Sequence, residues 1–163
     1  QDKVMKFDPV ANTCVTLPTR LPFARLGLMG CCLPDGKLLV GAGGTNSGNT
    51  MHSSLALGAI SGGDVSWSTE IPAFPYATVF GVMVNAGGRV FAGAGGNDIS
   101  GNYDGWYELV DDYAWEPRCS VAFNNAPRQP ITMAAAVGSA EGAWIFSGKQ
   151  WGTLQSETTQ YMP

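Results

Sequence analysis

Short apolar runs separated by turn residues recur along the whole chain. Residues 37–44 are KLLVGAGG, and residues 89–96, which lie 52 positions later, are RVFAGAGG. After a further 52 positions, residues 144–148 (WIFSG) occupy the same slot, with Ser147 in place of the first glycine of the pair. A fixed period of this kind is typical of repeat architectures. The pattern therefore predicts an internal repeat of about 52 residues.

Each of these slots follows another apolar run and a turn-rich gap. The preceding apolar runs are residues 26–33, 79–84 and 131–137, and the gaps are residues 34–36, 85–88 and 138–142. Two apolar runs around a turn of this composition predict an antiparallel hairpin.

Two more strand-like runs follow each of the first two glycine slots, after a polar loop. They are residues 54–57 and 65–67 in the first unit, and residues 105–110 and 113–115 in the second; residues 4–9 and 13–18 form a similar pair at the start. One unit is thus four short antiparallel strands. No stretch of ten residues or more has the periodicity of an amphipathic helix, so the predicted class is all-β.

A four-stranded repeat of this length predicts a blade of a β-propeller. We divide the chain, as a single segment, into the last two strands of a blade (1–18), two blades (26–72 and 78–117) and a partial blade (130–163). That is about three blades, whereas propellers typically close with about four to eight. The chain is therefore expected to be a partial propeller within a longer chain or half of an oligomeric ring.

Several residues of the first unit resemble the Kelch motif. That family has Tyr-Asp-Pro, a Trp, Leu-Pro, an Arg and a Gly-Gly pair. The matching residues here are Phe7, Asp8, Pro9, Cys14, Leu17, Pro18, Arg25, Gly43 and Gly44. Phe7 replaces the tyrosine and Cys14 the tryptophan, which Trp67 and Trp115 restore in later units. We expect both tryptophans to pack between adjacent sheets, and the glycine pairs to end strands at a crowded axis.

Composition narrows the functions and partners. Charged residues make up 13% of the chain, about half the usual ~25%. The net charge is −4 and the nine basic residues are scattered, which argues against a nucleic-acid surface. No apolar run approaches the ~18 residues of a membrane span. The low lysine and glutamate content favours an extracellular or virion surface.

The four cysteines, Cys14, Cys31, Cys32 and Cys119, do not have the spacing of a metal site. Cys31 and Cys32 are adjacent and so point to opposite faces of a strand. Buried free thiols are expected, and a disulfide such as Cys14–Cys31 is an open alternative.

The residues do not favour catalysis, and no cofactor or metal is expected. His52 is the single histidine, has no nucleophile at a recognisable spacing, and is expected to be exposed in a loop. The glycine pairs precede no helix and no Lys-Ser/Thr motif, so they are not phosphate cradles. The loop 97–105 resembles a calcium loop in composition but lacks the bidentate glutamate. The acidic residues Asp111 and Asp112 are expected to be solvated.

One enzymatic branch of Kelch-like propellers is a further alternative. Copper-radical oxidases resemble this chain around residues 32–36 (CLPDG). The resemblance implies a site of two histidines and two tyrosines, one of them cross-linked to cysteine. With one histidine, this chain cannot hold that site alone and would be a fragment of such an enzyme.

A recognition scaffold for a protein or glycan partner is the favoured function, and a structural assembly unit of a filament or shell is the second. In Kelch propellers the partner often binds loops just after the Gly-Gly pair and just before the first strand of a blade. Arginine and tyrosine are frequent interface anchors, although Arg25 equally suits a structural role bonding loop carbonyls. Self-association, or the remainder of a longer chain, is expected to close the ring. The predicted partner-binding residues are Arg25, Thr45, Asn46, Tyr76, Asn97, Asp98, Arg128, Lys149 and Gln150.

Overall fold

The structure, a computed structural model, describes residues 2–45, 50–97, 101–102, 105–120, 135–146, 148–150, 153–155 and 160–162. These residues form an all-β fold of short antiparallel strands, as predicted, and contain one 3₁₀ turn (Asp111–Tyr113) but no α-helix. In chain order, the strands are β1 (Lys3–Asp8), β2 (Thr13–Arg20), β3 (Met29–Cys32), β4 (Leu38–Gly41), β5 (Gly44–Thr45), β6 (Thr50–Met51), β7 (Leu55–Ser61), β8 (Asp64–Ser68), β9 (Val82–Ala86), β10 (Arg89–Gly93), β11 (Gly96–Asn97), β12 (Gly101–Asn102), β13 (Gly105–Leu109), β14 (Trp115–Ser120), β15 (Ala135–Ser139), β16 (Gly142–Phe146), β17 (Gly148–Gln150), β18 (Thr153–Gln155) and β19 (Gln160–Met162).

Four sheets repeat one strand order. Sheet I is β1-β2, sheet II is β3-β4-β7-β8, sheet III is β9-β10-β13-β14, and sheet IV is β15-β16-β19. Neighbouring strands in each sheet are antiparallel. The 52-residue sequence period therefore corresponds to one four-stranded sheet in the two complete units.

A two-stranded hairpin is inserted at the same point of three units. It follows the second strand of sheets II, III and IV as β5-β6, β11-β12 and β17-β18. The sequence predicts only a polar loop at these places.

The apolar faces of consecutive sheets pack against one another. Strand β2 lies against β8, β3 against β9, and β9 against β15 and β16. The first strands of sheets II, III and IV are thus neighbours. Strand alternation explains how sheet III serves two interfaces, because successive side chains point to opposite faces.

Two clusters of buried apolar residues fill the spaces on either side of sheet III. The cluster between sheets II and III consists of Met29, Leu33, Leu39, Ala42, Leu55, Phe74, Met83, Val90 and Ala92. The cluster between sheets III and IV consists of Val82, Val84, Ala86, Phe91, Ala94, Trp106 and Ala143. Each cluster joins residues from both sheets, so the core lies between the sheets.

Of the two tryptophans expected to pack between sheets, Trp115 lies beside one of these clusters and Trp67 belongs to neither. Trp115 packs on the cluster between sheets II and III, where it meets the Phe74 ring edge-on at a centroid distance of 5.0 Å. Trp67 is partly buried and lies across Gly58 on the neighbouring strand. Both indole Nε1 groups are buried, with no hydrogen-bond partner among the described residues. Trp106, which was not predicted from the sequence to be a core residue, is the largest fully buried side chain among the described residues.

Three strand predictions are too long or displaced. The apolar run 79–84 forms a strand only from Val82 onward (β9), after Phe80 adopts a φ of +59°. The apolar run 26–33 forms a strand only over Met29–Cys32, because the chain turns at Gly27, where φ is +59°. The run 113–115 begins in the 3₁₀ turn, so β14 starts at Trp115. All three errors arise where the backbone leaves the extended region.

The expectation of buried thiols is wrong for two cysteines. Cys14 and Cys32 are exposed, Cys31 is partly buried, and all three are free, so the Cys14–Cys31 disulfide is not formed. Burial, together with the neighbouring Cys32 thiol, raises the pKa of Cys31 to about 12. The adjacent pair does point to opposite faces, because Cys31 packs on the core and Cys32 does not. The side chain of Cys119 lies outside the described part of the chain.

Candidate recognition surface

The Gly-Gly slots are sharp bends at one end of sheets II and III. Ala42 and Ala94, which precede the pairs, have φ of +54° and +58°, and Gly43 and Gly95 have φ of +83° and +93°. A Cβ on Gly43 would come within 2.8 Å of the Leu26 carbonyl oxygen. The expected crowding is therefore present at the first glycine of both pairs, and that glycine also has a positive φ.

Backbone hydrogen bonds join both bends to residues 78–79, because the Gly96 amide of the second bend donates to the Val79 carbonyl at 2.9 Å. We call the two bends and this segment the rim. The Leu26 and Gly44 amides each donate to the other's carbonyl at 2.9 Å. The Gly43 amide donates to the Thr78 carbonyl at 2.7 Å, and the Thr78 amide donates to the His52 carbonyl at 3.1 Å. The β5-β6 hairpin is thus held between the segment that leads into sheet II and the segment that leads into sheet III.

Arg25 holds two carbonyls at the first bend. Its Nη1 donates to the carbonyls of Ala42 and Ser54 at 3.0 and 3.2 Å, and its Nη2 donates to Ser54 Oγ at 2.6 Å. The guanidinium also lies over the Phe23 ring, 4.2 Å from its centroid. Partial burial lowers the pKa of Arg25, which still leaves it cationic. Arg25 therefore has the structural role that the sequence analysis kept as its alternative.

Tyr76 contacts two carbonyl oxygens at the second bend, as Arg25 does at the first. Its hydroxyl lies 3.3 Å from the Ala94 carbonyl oxygen and 3.1 Å from that of Gly105. Ala94 is 52 positions after Ala42, and its carbonyl also accepts a hydrogen bond from Thr78 Oγ1 at 3.2 Å. Each bend is thus clamped from the segment before its sheet, by Arg25 in one unit and by Tyr76 together with Thr78 in the next.

His52 and Thr45 meet in the first small hairpin. His52 Nε2 lies 3.3 Å from Thr45 Oγ1, and the His52 amide donates to the Gly43 carbonyl at 2.9 Å. His52 is half-buried, not exposed as expected, because Thr78 pairs with its backbone. Burial, and then the charge of Arg25, lowers the pKa of His52.

Six of the nine predicted partner-binding residues cannot be compared at the side-chain level. Asn46, Asp98 and Arg128 lie outside the described residues. Asn97, Lys149 and Gln150 have described backbone in the small hairpins β11-β12 and β17-β18, but their side chains lie outside the described part. The structure therefore places Arg25 at the first bend, Thr45 against His52 in the hairpin that follows it, and Tyr76 at the next bend.

Two residues of this rim were missed by the sequence analysis. Thr78 is fully buried and Ser54 supplies two acceptors to Arg25. A hydroxyl residue directly before the apolar run 79–84 was the one available signal for Thr78. Ser54 had no signal, because its role depends on an arginine 29 positions away.

The acidic residues divide into solvated and paired groups. Asp111 and Asp112 are exposed, as expected. Glu108 is buried and accepts two hydrogen bonds from Arg89, at 2.7 and 2.8 Å, and one from Arg118 at 2.6 Å. The hydrogen bonds from Arg89 hold the pKa of Glu108 below its ordinary value, against the opposing effect of burial. In the described part of the chain, no three His, Cys, Asp or Glu side chains gather as a metal-binding group.

Comparison with known proteins bears on the fold alone. A solved structure titled "Structure of YjhT" aligns with this chain at a TM-score of 0.66 and 18% identity, over 90% of this chain and 50% of that one. The chain thus spans about half the length of that structure. No family model matches the sequence, and no curated protein matches it either. No helix in the described residues is long and apolar enough to cross a membrane.

Proposed function

We propose that this chain is part of a Kelch-type β-propeller that binds a protein or glycan partner and has no catalysis of its own. The strand order of sheets II and III and the contact between first strands of successive sheets support a propeller arrangement. The inward strands would lie around the axis, and the small hairpins would share one end of the ring.

The observation that carries the recognition role is the hairpin inserted three times after the second strand. The connecting segments of two hairpins are polar in sequence, 45–50 (TNSGNT) and 97–102 (NDISGN with one isoleucine), and the third is 148–153 (GKQWGT). Polar loops on a rigid sheet scaffold are a common location for binding residues. The clamps made by Arg25 and Tyr76 hold the bases of the first two hairpins.

Two of the candidate anchors hold the hairpins in place and do not contact the partner. Arg25 and Tyr76 donate hydrogen bonds to backbone carbonyls at the bends, so we assign them to positioning the hairpins. Direct recognition then rests on residues of the hairpins: Thr45, Asn46, Asn97, Asp98, Lys149 and Gln150. Arg128 stays a sequence-based candidate.

A binding screen with a matched control tests this proposal. The chain is screened against a panel of oligosaccharides and a displayed peptide library. Binders are then titrated against Asn46→Ala/Gln150→Ala and against Asp35→Ala/Lys37→Ala. The second pair is an exposed ion pair in the β3–β4 turn, at the opposite end of β4 from the glycine bend.

We expect at least one binder whose affinity falls by about tenfold or more in the hairpin variant and by less than about twofold in the control. Equal losses of affinity in both variants, or an affinity that neither variant changes, would mean that the binding surface lies outside the hairpins. A screen without any binder would refute the recognition role.

A further inference from the structure

His52 lies where the first small hairpin, β5-β6, joins the segment that leads into sheet III. Its amide donates to the Gly43 carbonyl at 2.9 Å, and its carbonyl accepts a hydrogen bond from the Thr78 amide at 3.1 Å. The Gly43 amide donates in turn to the Thr78 carbonyl at 2.7 Å. These three hydrogen bonds connect the hairpin, the first bend and the segment before sheet III. We call this arrangement the hairpin joint.

The His52 side chain contacts the other strand of the same hairpin. Its Nε2 lies 3.3 Å from Thr45 Oγ1, and the side chain is half-buried. A neutral imidazole has one ring nitrogen that accepts a hydrogen bond, whereas both nitrogens of the imidazolium ion donate. The protonation of His52 therefore changes the contact between β5 and β6.

A fixed positive charge lies at the same bend. Arg25 donates to the carbonyls of Ala42 and Ser54 and to Ser54 Oγ, at 3.0, 3.2 and 2.6 Å. Ala42 directly precedes Gly43, and Ser54 follows His52 by two positions. The Arg25 guanidinium cannot turn away from a second cation at this bend without giving up these hydrogen bonds.

The segments around His52 supply no acidic side chain to balance a second cation. Residues 43–51 and 53–61 contain no titratable group, and Arg25 is the single one in residues 21–28. In residues 74–79 the single titratable group is Tyr76, whose hydroxyl contacts the carbonyl oxygens of Ala94 and Gly105. Burial, and then the charge of Arg25, lowers the pKa of His52. Within these segments, a protonated His52 faces a cation and no carboxylate.

We propose that protonation of His52, as the pH falls from about 7 to about 5, opens the hairpin joint and releases the first small hairpin. The imidazolium ion and the Arg25 guanidinium repel each other at a half-buried bend. Arg25 is held by three hydrogen bonds, so the hairpin is the part that moves. The closed joint is fully stable above about pH 6.5, the ordinary pKa of histidine, and loses stability as the pH falls toward the lower pKa of the closed form.

The inference concerns the regulation of the proposed recognition surface, and its effect on a partner rests on that proposed function. The opening of the joint is measured on the chain alone. A joint that opens while a binder from the screen keeps its affinity at about pH 5 would refute the recognition role of this hairpin, and not the joint.

Amide hydrogen exchange, followed by NMR at about pH 7.5 and about pH 5, tests the joint. Each rate is divided into the rate of an unstructured peptide at the same pH, which gives a protection factor. We expect the protection of the Thr78 and Gly43 amides to fall by about threefold or more at the lower pH. The Leu33 amide, which donates to the Lys37 carbonyl at 2.7 Å in the β3–β4 turn, is the internal control and should keep its protection.

A matched pair of variants assigns the effect to one residue. His52→Gln has no charge at either pH and should remove the pH dependence of Thr78 protection. Asp35→Asn, at the opposite end of β4 from the bend, removes another titratable group and should keep it. Circular dichroism establishes that both variants are folded, and His52→Asn replaces His52→Gln if the latter is not.

Three results would overturn the proposal. The first is constant Thr78 protection in the parent chain while the NMR signals of the His52 ring titrate, because the imidazolium then turns into solvent and leaves the joint closed. The second is an equal loss of protection at Leu33, which would indicate loosening of the whole sheet. The third is the parent's pH dependence in the folded His52 variant.

Discussion

Two alanines have the unusual backbone conformation that forms the bends of the candidate surface. Ala42 and Ala94 are in the left-handed region, which costs a residue with a Cβ roughly 1–2 kcal/mol. In both units the carbonyl of that alanine accepts a hydrogen bond from the clamping side chain, Arg25 or Tyr76. The clamp therefore offsets part of the strain, and the same solution in two units indicates that the bend belongs to the repeat.

Comparing two glycines separates the energetic cost of crowding at the first bend from the cost of backbone strain. Gly43 and Gly36 both have φ of +83°, but an added Cβ meets three groups within 3.3 Å at Gly43 and nothing within 4 Å at Gly36. Gly36→Ala should cost about 1 kcal/mol from strain alone. Gly43→Ala should cost about 2 kcal/mol or more, because Leu26, Leu28 or Arg25 must shift.

Urea unfolding of both variants measures this difference. Equal losses of unfolding free energy would mean that the rim relaxes around the added methyl group. The crowding described at the first bend would then have no energetic consequence.

At the scale of elements, a network of ion pairs links three of the four strands of sheet III, namely β10, β13 and β14. Glu108 on β13 accepts hydrogen bonds from Arg89 on β10 and Arg118 on β14, and Arg118 also pairs with Glu116 at 3.0 Å. The Arg89 guanidinium lies 5.0 Å from the centroid of the Phe91 ring. Three neighbouring strands thus share one buried carboxylate, which fixes their register.

Replacing this carboxylate should make the stability of the chain less dependent on pH. Glu108→Gln should lower the unfolding free energy at pH 7 by about 1–2 kcal/mol, since the hydrogen bonds lose their charge. The pKa of Glu108 is lower in the folded chain than the ordinary value of 4.5. The contribution is therefore complete above about pH 4.5 and is lost as pH falls through the folded pKa.

Urea unfolding of parent and variant between about pH 3 and pH 7 checks the sign. The gap between their unfolding free energies should narrow as the pH falls. Glu116→Gln is the control, because Glu116 is exposed, and it should change stability by less than about 0.5 kcal/mol. A gap that widens toward low pH would contradict the role given to Glu108.

At the scale of the whole molecule, stability depends on packing between sheets. Phe74 belongs to neither sheet II nor sheet III but to the segment between them, and its side chain is almost fully buried. Its ring meets Tyr76, Tyr107 and Trp115 at centroid distances of 4.7, 5.6 and 5.0 Å. Such edge-on contacts add to the burial of a large apolar side chain.

Phe74→Ala should therefore lower the unfolding free energy by about 3–5 kcal/mol. Val10→Ala, at an exposed turn, should change it by less than about 0.5 kcal/mol. Thermal unfolding followed by circular dichroism compares the two variants with the parent chain. A loss below about 1 kcal/mol for Phe74→Ala would show that sheets II and III do not depend on this segment.

The amino-acid sequence by itself determined the all-β class, the 52-residue period, the strand hairpins and the glycine bends. These features follow from chemistry that acts over a few residues: apolar alternation selects strands, and turn residues and glycines select where the chain reverses. For the same reason, the strand ends were displaced where the local pattern stayed apolar but the backbone turned, as at Gly27.

Only the tertiary structure decided which polar residues contact one another. Arg25 meets Ala42 over 17 positions, Arg89 meets Glu108 over 19, and Tyr76 meets Gly105 over 29. The inserted hairpins and the half-buried His52 likewise depend on how the sheets pack. Contacts of this kind arise when distant segments meet, and a local sequence pattern does not specify which segments will do so.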